Sequence, residues 1–164
     1  MRPRFSSPAP ALVFCVIILL LLTACSGPDD PLEAFRQGDY QRARVLWAKQ
    51  AARGDTQAQA RLGMLSFLGL GGPKDYAMAY HWYAKAAIAG NADAQRYLGY
   101  LYQEGLGVRA DRLLAWGWYY QAASQGQEMA QNALDMMSGQ LTPNETMKAR
   151  AEIRTILEHQ GPGQ

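Results

Sequence analysis

The chain has 164 residues and a formal net charge of +2, enough for one compact domain but too little basic excess for a nucleic-acid or anionic-membrane surface. Arg2 and Arg4 supply that excess: without them, 14 Lys and Arg face 14 Asp and Glu. Hydrophobic residues make up an ordinary globular 49%. Beyond the first 25 positions alanine is abundant and β-branched residues are scarce, which favours helix over strand.

Arg2 and Arg4 precede an unbroken apolar run of 12 residues, Ala11 to Leu22. As a helix this run rises ~18 Å, well short of the ~30 Å hydrocarbon core of a bilayer. The length fits the apolar region of a signal peptide. Ser26-Gly27-Pro28-Asp29-Asp30-Pro31 then breaks the run. At the break, Leu22-Thr23-Ala24-Cys25 resembles a bacterial lipobox. That resemblance implies a signal peptide over residues 1–24, a lipid (palmitate-type acylation) on Cys25, and a tether over 25–31. An uncleaved anchor and a plain secretory signal are the alternatives. Ser26 stands where an aspartate would resemble an inner-membrane retention signal, so the resemblance implies the outer membrane, facing the periplasm. Cys15 would leave with the leader and Cys25 would carry lipid, which leaves no thiol for a disulfide or a cysteine–metal site.

Pro31 opens the body of the chain. Leu32 to Gln37 reads as a short helix, Gly38 as a break, and Asp39 to Arg53 as a second helix. From there the sequence repeats itself with a shift of 36 and no gaps. Ala58, Ala94 and Ala130 fall in register, as do Leu62, Leu98 and Leu134, and Gly54, Gly90 and Gly126. Asp39, Asp75 and Asp111 coincide, Trp82 matches Trp118, and Tyr83 matches Tyr119. A fixed period of this size predicts a stack of supersecondary units.

Each unit reads as two helices. Asn91 caps a helix whose apolar side is Ala94, Leu98 and Leu101, and Gly105-Leu106-Gly107 ends it. Asp111 caps a second helix carrying Leu114, Ala115, Trp118, Tyr119 and Ala122, which Gly126 ends. Small Gly99, Ala115 and Ala122 permit close helix approach. After the last unit, Thr142-Pro143-Asn144-Glu145 has the form of a capping box with Pro at N1. It starts a helix running to about Glu158, with Met147, Ala151, Ile153, Ile156 and Leu157 to bury. Residues 159–164 form a loose tail.

The stretch from Gly99 to Gly126 resembles the Sel1-like repeat, a relative of the tetratricopeptide repeat. Ala94, Leu98, Gly99, Tyr102, Gly105, Gly107, Val108, Asp111, Ala115, Trp118, Tyr119, Ala122 and Ala123 carry the likeness. The preceding unit matches through Ala58, Leu62, Gly63, Gly69, Gly71, Pro73, Lys74, Asp75, Ala79, Trp82, Tyr83 and Lys85 to Ala87. It departs at Ser66, where tyrosine is usual, and at Gly72, where valine is usual, which loosens one contact between helices. The resemblance implies an all-α helix-turn-helix solenoid over residues 32–158. Its repeats cover about 55–90 and 91–126, with partial units at both ends and a C-terminal capping helix.

No catalytic pattern stands against that reading. His81 and His159 lack partners at metal-ligand spacing. Asp39, Asp75 and Asp111 are explained by helix capping, and Glu104, Glu128 and Glu145 by their places at helix ends. Gly69 to Lys74 follows a helix rather than a strand, so it reads as a turn and not a phosphate loop. No serine lies in a GxSxG setting. The expectation is a non-enzyme with no cofactor and no metal.

What remains is a surface. In tetratricopeptide-like repeats the first helix of each pair lines the concave face. By register that face receives Arg61, Met64 and Phe67 from one unit, Arg96, Tyr97, Tyr100 and Glu104 from the next, and Met136 from the third. Aromatic residues, Met and Arg are the types enriched at interfaces. The alternative is that Tyr97 and Tyr100 cover the edges of neighbouring helices. The reading is a membrane-anchored scaffold or adapter that holds a protein or peptide partner, in an envelope process such as secretion or exopolysaccharide export. A cell-wall-directed enzyme or enzyme regulator, and a toxin-binding immunity-type protein, are the rivals.

Overall fold

Side-chain caps fix where the helices start. The computed structural model describes residues 29–137 and 139–160, so the leader, Cys25 and the start of the tether lie outside the described residues. Eight helices follow in order: α1 Pro31–Arg36, α2 Tyr40–Ala51, α3 Thr56–Leu68, α4 Tyr76–Ile88, α5 Ala92–Glu104, α6 Arg112–Ala123, α7 Glu128–Met136 and α8 Pro143–Gln160. No strand occurs among the described residues. Asp39, Asp75 and Asp111 accept hydrogen bonds from the free N–H groups at the starts of α2, α4 and α6. Asp55, Asn91 and Gln127, also 36 apart, do the same for α3, α5 and α7. Replacing such an aspartate or asparagine cap by alanine costs about 1 kcal/mol. Gly69 and Gly105 end α3 and α5 in the left-handed conformation, at φ 74° and 67°.

Each of α1 to α7 packs on its neighbours in the chain, and α3 also touches α5. The helices form an all-α solenoid with α3, α5 and α7 in one layer and α2, α4 and α6 in the other. Two glycines set the spacing of the layers. Tyr83 of α4 lies on Gly63 of α3, and Tyr119 of α6 lies on Gly99 of α5. A Cβ at Gly63 would stand 2.7 Å from the Tyr83 ring, and one at Gly99 would stand 2.9 Å from the Tyr119 ring. Around these contacts Leu62, Leu65, Leu98, Leu101 and Trp118 are buried.

Polar side chains tie one unit to the next at the same period. The fully buried Gln95 donates to the Ala87 carbonyl at the end of α4 and accepts from Gln125. Gln59, one unit earlier, donates to the Ala51 carbonyl at the end of α2. Asn91 donates to Gln57, and Gln127 to Asp93. These side chains join successive units through the starts of α3, α5 and α7.

The contact expected to be loose at Ser66 is filled. In the second unit the hydroxyls of Tyr80 and Tyr102 hydrogen-bond at 3.0 Å. At the equivalent places the first unit has Arg44 and Ser66. The Arg44 guanidinium reaches the Ser66 hydroxyl at 3.4 Å and the Leu70 carbonyl at 3.2 Å, and passes within 3.8 Å of where a Gly72 side chain would begin. A long cation and a small hydroxyl occupy the room of two tyrosines.

Thr142, Pro143 and Glu145 start α8 as a capping box: Glu145 accepts from the Thr142 N–H at 2.8 Å, and Thr142 Oγ1 accepts from the Glu145 N–H at 3.3 Å. The Thr142 N–H and the Thr142 hydroxyl, both donating to the Glu145 carboxylate, hold it below its usual pKa. Its buried residues differ from those expected. Ala149 and Ile153 face inward, while Met147 is 68% exposed. The reason is Gly117, in the middle of α6 where the preceding unit has His81. A Cβ there would lie 2.6 Å from Ile153 Cγ1 and 3.1 Å from the Ala149 carbonyl oxygen. Helix α8 therefore lies along α6 and touches α4. It covers the α4–α6 layer and leaves the α3–α5 layer open.

Gly99→Leu and Gly117→Leu are each expected to lower stability by ~1–3 kcal/mol through overpacking, measured by urea denaturation. His81→Leu, at the exposed equivalent of Gly117, is expected to stay within ~0.5 kcal/mol. Ser66→Tyr alone is expected to destabilise, and Arg44→Tyr combined with it to restore stability. A double-mutant cycle should give ~0.5–3 kcal/mol of favourable coupling.

Candidate functional site on the α3–α5 layer

Helical spacing brings Arg61, Met64 and Phe67 along one side of α3, and Arg96, Tyr97 and Tyr100 along the adjoining side of α5. The structure joins them through rings. Phe67 sits with its ring centroid 5.4 Å from Tyr76, 6.0 Å from Tyr97 and 6.0 Å from Tyr100. Tyr97 stacks on Tyr83 at 4.9 Å with an 11° interplanar angle. The Arg96 guanidinium lies over the Tyr97 ring, 3.9 Å from its centroid, a cation–π contact. Tyr97 is thus half-buried and serves packing, while Tyr100 stays 36% exposed.

Beside this aromatic patch is a cavity of about 170 Å³ between α3 and α5, with Arg61, Met64, Tyr83, Asp93, Arg96 and Tyr97 in its wall. Tyr83 is 1% exposed and its hydroxyl has no hydrogen-bond partner. Burial, with the nearby Tyr97, pushes that hydroxyl's pKa well above the usual tyrosine value, against the opposing charge of Arg96. Arg96 Nε is also buried and unpartnered. Neither Arg61 nor Arg96 takes part in an ion pair among the described residues.

Two of the residues expected on this face lie apart from that cluster. Met136, 73% exposed on α7, lines a separate depression with Gln103, Arg112 and Met137. Glu104 is exposed at the end of α5, where it accepts from Gln103. Tyr76, Tyr83 and Asp93 belong to the cluster and are not among the site residues expected from sequence. The signal for them lies in the register. Tyr119 donates its hydroxyl hydrogen bond to Gln103 at 3.1 Å. One unit earlier, the position of Gln103 is Phe67, which cannot accept. The same residue that builds the aromatic patch leaves Tyr83 without a partner.

Among the described residues, no group of three His, Cys, Asp or Glu is placed to hold a metal ion. No described helix is long and apolar enough to cross a membrane. His81 is exposed with its ring against the edge of Trp82, and His159 contacts the Thr155 carbonyl within its own helix.

Residues 56–91 and 92–127 each match the Sel1 repeat. A protective antigen present in uropathogenic Escherichia coli strains, displaying an SLR fold, is 29% identical, with a TM-score of 0.72 over 80% of this chain and 29% of that one. A Sel1 repeat protein from Oxalobacter formigenes is 32% identical, with a TM-score of 0.62 over 65% of this chain and 44% of that one. The chain spans less than half the length of either structure. No curated protein matches the sequence.

Proposed function

We propose that the chain, residues 56–127 of which match Sel1 repeats of the kind that generally serve as protein–protein interaction scaffolds, is a lipid-anchored adapter holding a protein partner on its α3–α5 layer. One observation carries this reading: α8 covers the opposite layer, while Phe67, Tyr97, Tyr100, Arg61 and Arg96 remain together on the layer it leaves open, with Tyr76 of α4 against the Phe67 ring. These residue types dominate binding energy at interfaces when a partner desolvates them. Cys25 carries the acyl chains and the tether ends before Pro31, where α1 begins, so the solenoid faces the periplasm from the outer membrane. The work it assists is an envelope process of the kind served by secretion or exopolysaccharide export.

Crosslinking and pull-down from the envelope, with the lipidated protein as bait, tests the face. Tyr97→Ala combined with Tyr100→Ala is expected to weaken capture by ~2 kcal/mol or more while circular dichroism stays helical. Because Tyr97 also supports Tyr83, Tyr100→Ala with Arg61→Ala serves as a second variant that spares that stack. Full capture by both folded variants would place the partner elsewhere. Labelling with a radioactive fatty acid tests the anchor. The wild type should take up label and Cys25→Ser should not.

A further inference from the structure

We propose that the cavity between α3 and α5 receives the side-chain carboxylate of an aspartate or glutamate in an extended segment of the partner, with an adjacent apolar side chain on the Phe67–Tyr100 patch. The inference rests on the α3–α5 layer being the docking face, and it names the chemistry that face selects.

Charge is the first argument. Arg61 and Arg96 share the wall of one cavity and neither is neutralised by an ion pair among the described residues. Asp93 is the single acid in that wall, and one of its oxygens already accepts from Gln127. The cavity therefore keeps a net positive charge and favours an anion. Guanidinium groups bind carboxylates by charge-assisted, often paired hydrogen bonds.

Orphaned donors are the second argument. Arg96 Nε and the Tyr83 hydroxyl are buried without partners, and such groups cost free energy until they are satisfied. The equivalent tyrosine, Tyr119, has an acceptor, Gln103. Phe67 stands at that place in the first of these two units. A carboxylate presents two oxygens with room for several donors. It offers acceptors to the guanidinium groups of Arg61 and Arg96 and to the Tyr83 hydroxyl.

The apolar border of the cavity favours an acid carried beside an apolar residue within a segment. About 170 Å³ holds a carboxylate with one or two methylenes with room to spare. The patch formed by Phe67, Tyr76 and Tyr100 borders the cavity through Tyr97 and provides apolar contact for the neighbouring residue.

A phage library of random dodecapeptides, fused through their C-termini so that only side-chain carboxylates are on offer, is panned on the full chain in detergent. Enrichment of Asp or Glu next to an aromatic or aliphatic residue is expected. The best synthetic peptide, amidated at its C-terminus, should bind at least tenfold more weakly when its acid is replaced by Asn or Gln. The same loss is expected with Arg61→Gln plus Arg96→Gln in the protein. Tyr83→Phe separates binding from folding: it should raise the melting temperature by removing an unsatisfied hydroxyl, yet weaken the peptide severalfold. No enrichment, enrichment without acids, or preference for free C-termini in a library displayed the other way round would each overturn the proposal. The capture assay separates the two levels of inference. Capture lost in the Tyr97, Tyr100 variant but kept by the double arginine variant overturns the carboxylate pairing alone. Capture kept by both removes the docking face as well.

Discussion

A tyrosine ring lying flat on a glycine is the contact from which this solenoid is built. Tyr83 on Gly63 and Tyr119 on Gly99 leave no room for even one added carbon. That closeness decides how far apart the two helix layers sit, and so which side chains reach the core between them. Trp118, Leu98 and Leu101 are buried because the layers meet at this distance. The buried amide of Gln95 reaches the end of α4 for the same reason. Close-packed interiors resist small volume changes in either direction, so a 36-residue period in the sequence becomes a fixed period in space.

The C-terminal helix uses the same device on the opposite side. Gly117 removes the side chain that would hold α8 off α6, and Ile153 takes the space. The consequence reaches the functional face. A helix placed on the α4–α6 layer leaves the α3–α5 layer uncovered, and there the aromatic and arginine residues gather. One missing side chain in α6 thus selects which layer α8 covers.

Departures from the repeat carry the local chemistry. Arg44 with Ser66 replaces a pair of tyrosines and preserves packing by exchanging volume between two positions. Phe67 in place of the equivalent of Gln103 has no such compensation within the chain. It gains three aromatic neighbours and leaves a buried hydroxyl unsatisfied. Natural sequences tend to break their own local rules where a site is built, and this unit breaks its rule at the edge of a cavity flanked by two unpaired arginines.

The period, the two-helix unit, the aspartate caps and the capping box of α8 are legible in the sequence by itself, because each depends on residues within a few positions or on self-similarity at a constant shift. The grouping of Arg61, Met64, Phe67, Arg96, Tyr97 and Tyr100 on one layer follows from that register too. Three things needed the tertiary structure. Whether Met147 or Ala149 is buried depends on where α8 crosses α6, which Gly117 sets from 30 residues away. That Met136 and Glu104 stand apart from the cluster depends on how α5 and α7 end. The orphaned Tyr83 hydroxyl emerges only when the partner of Tyr119 is seen to be Gln103, since a hydrogen bond between two helices is a matter of distance and angle that no spacing along one of them specifies.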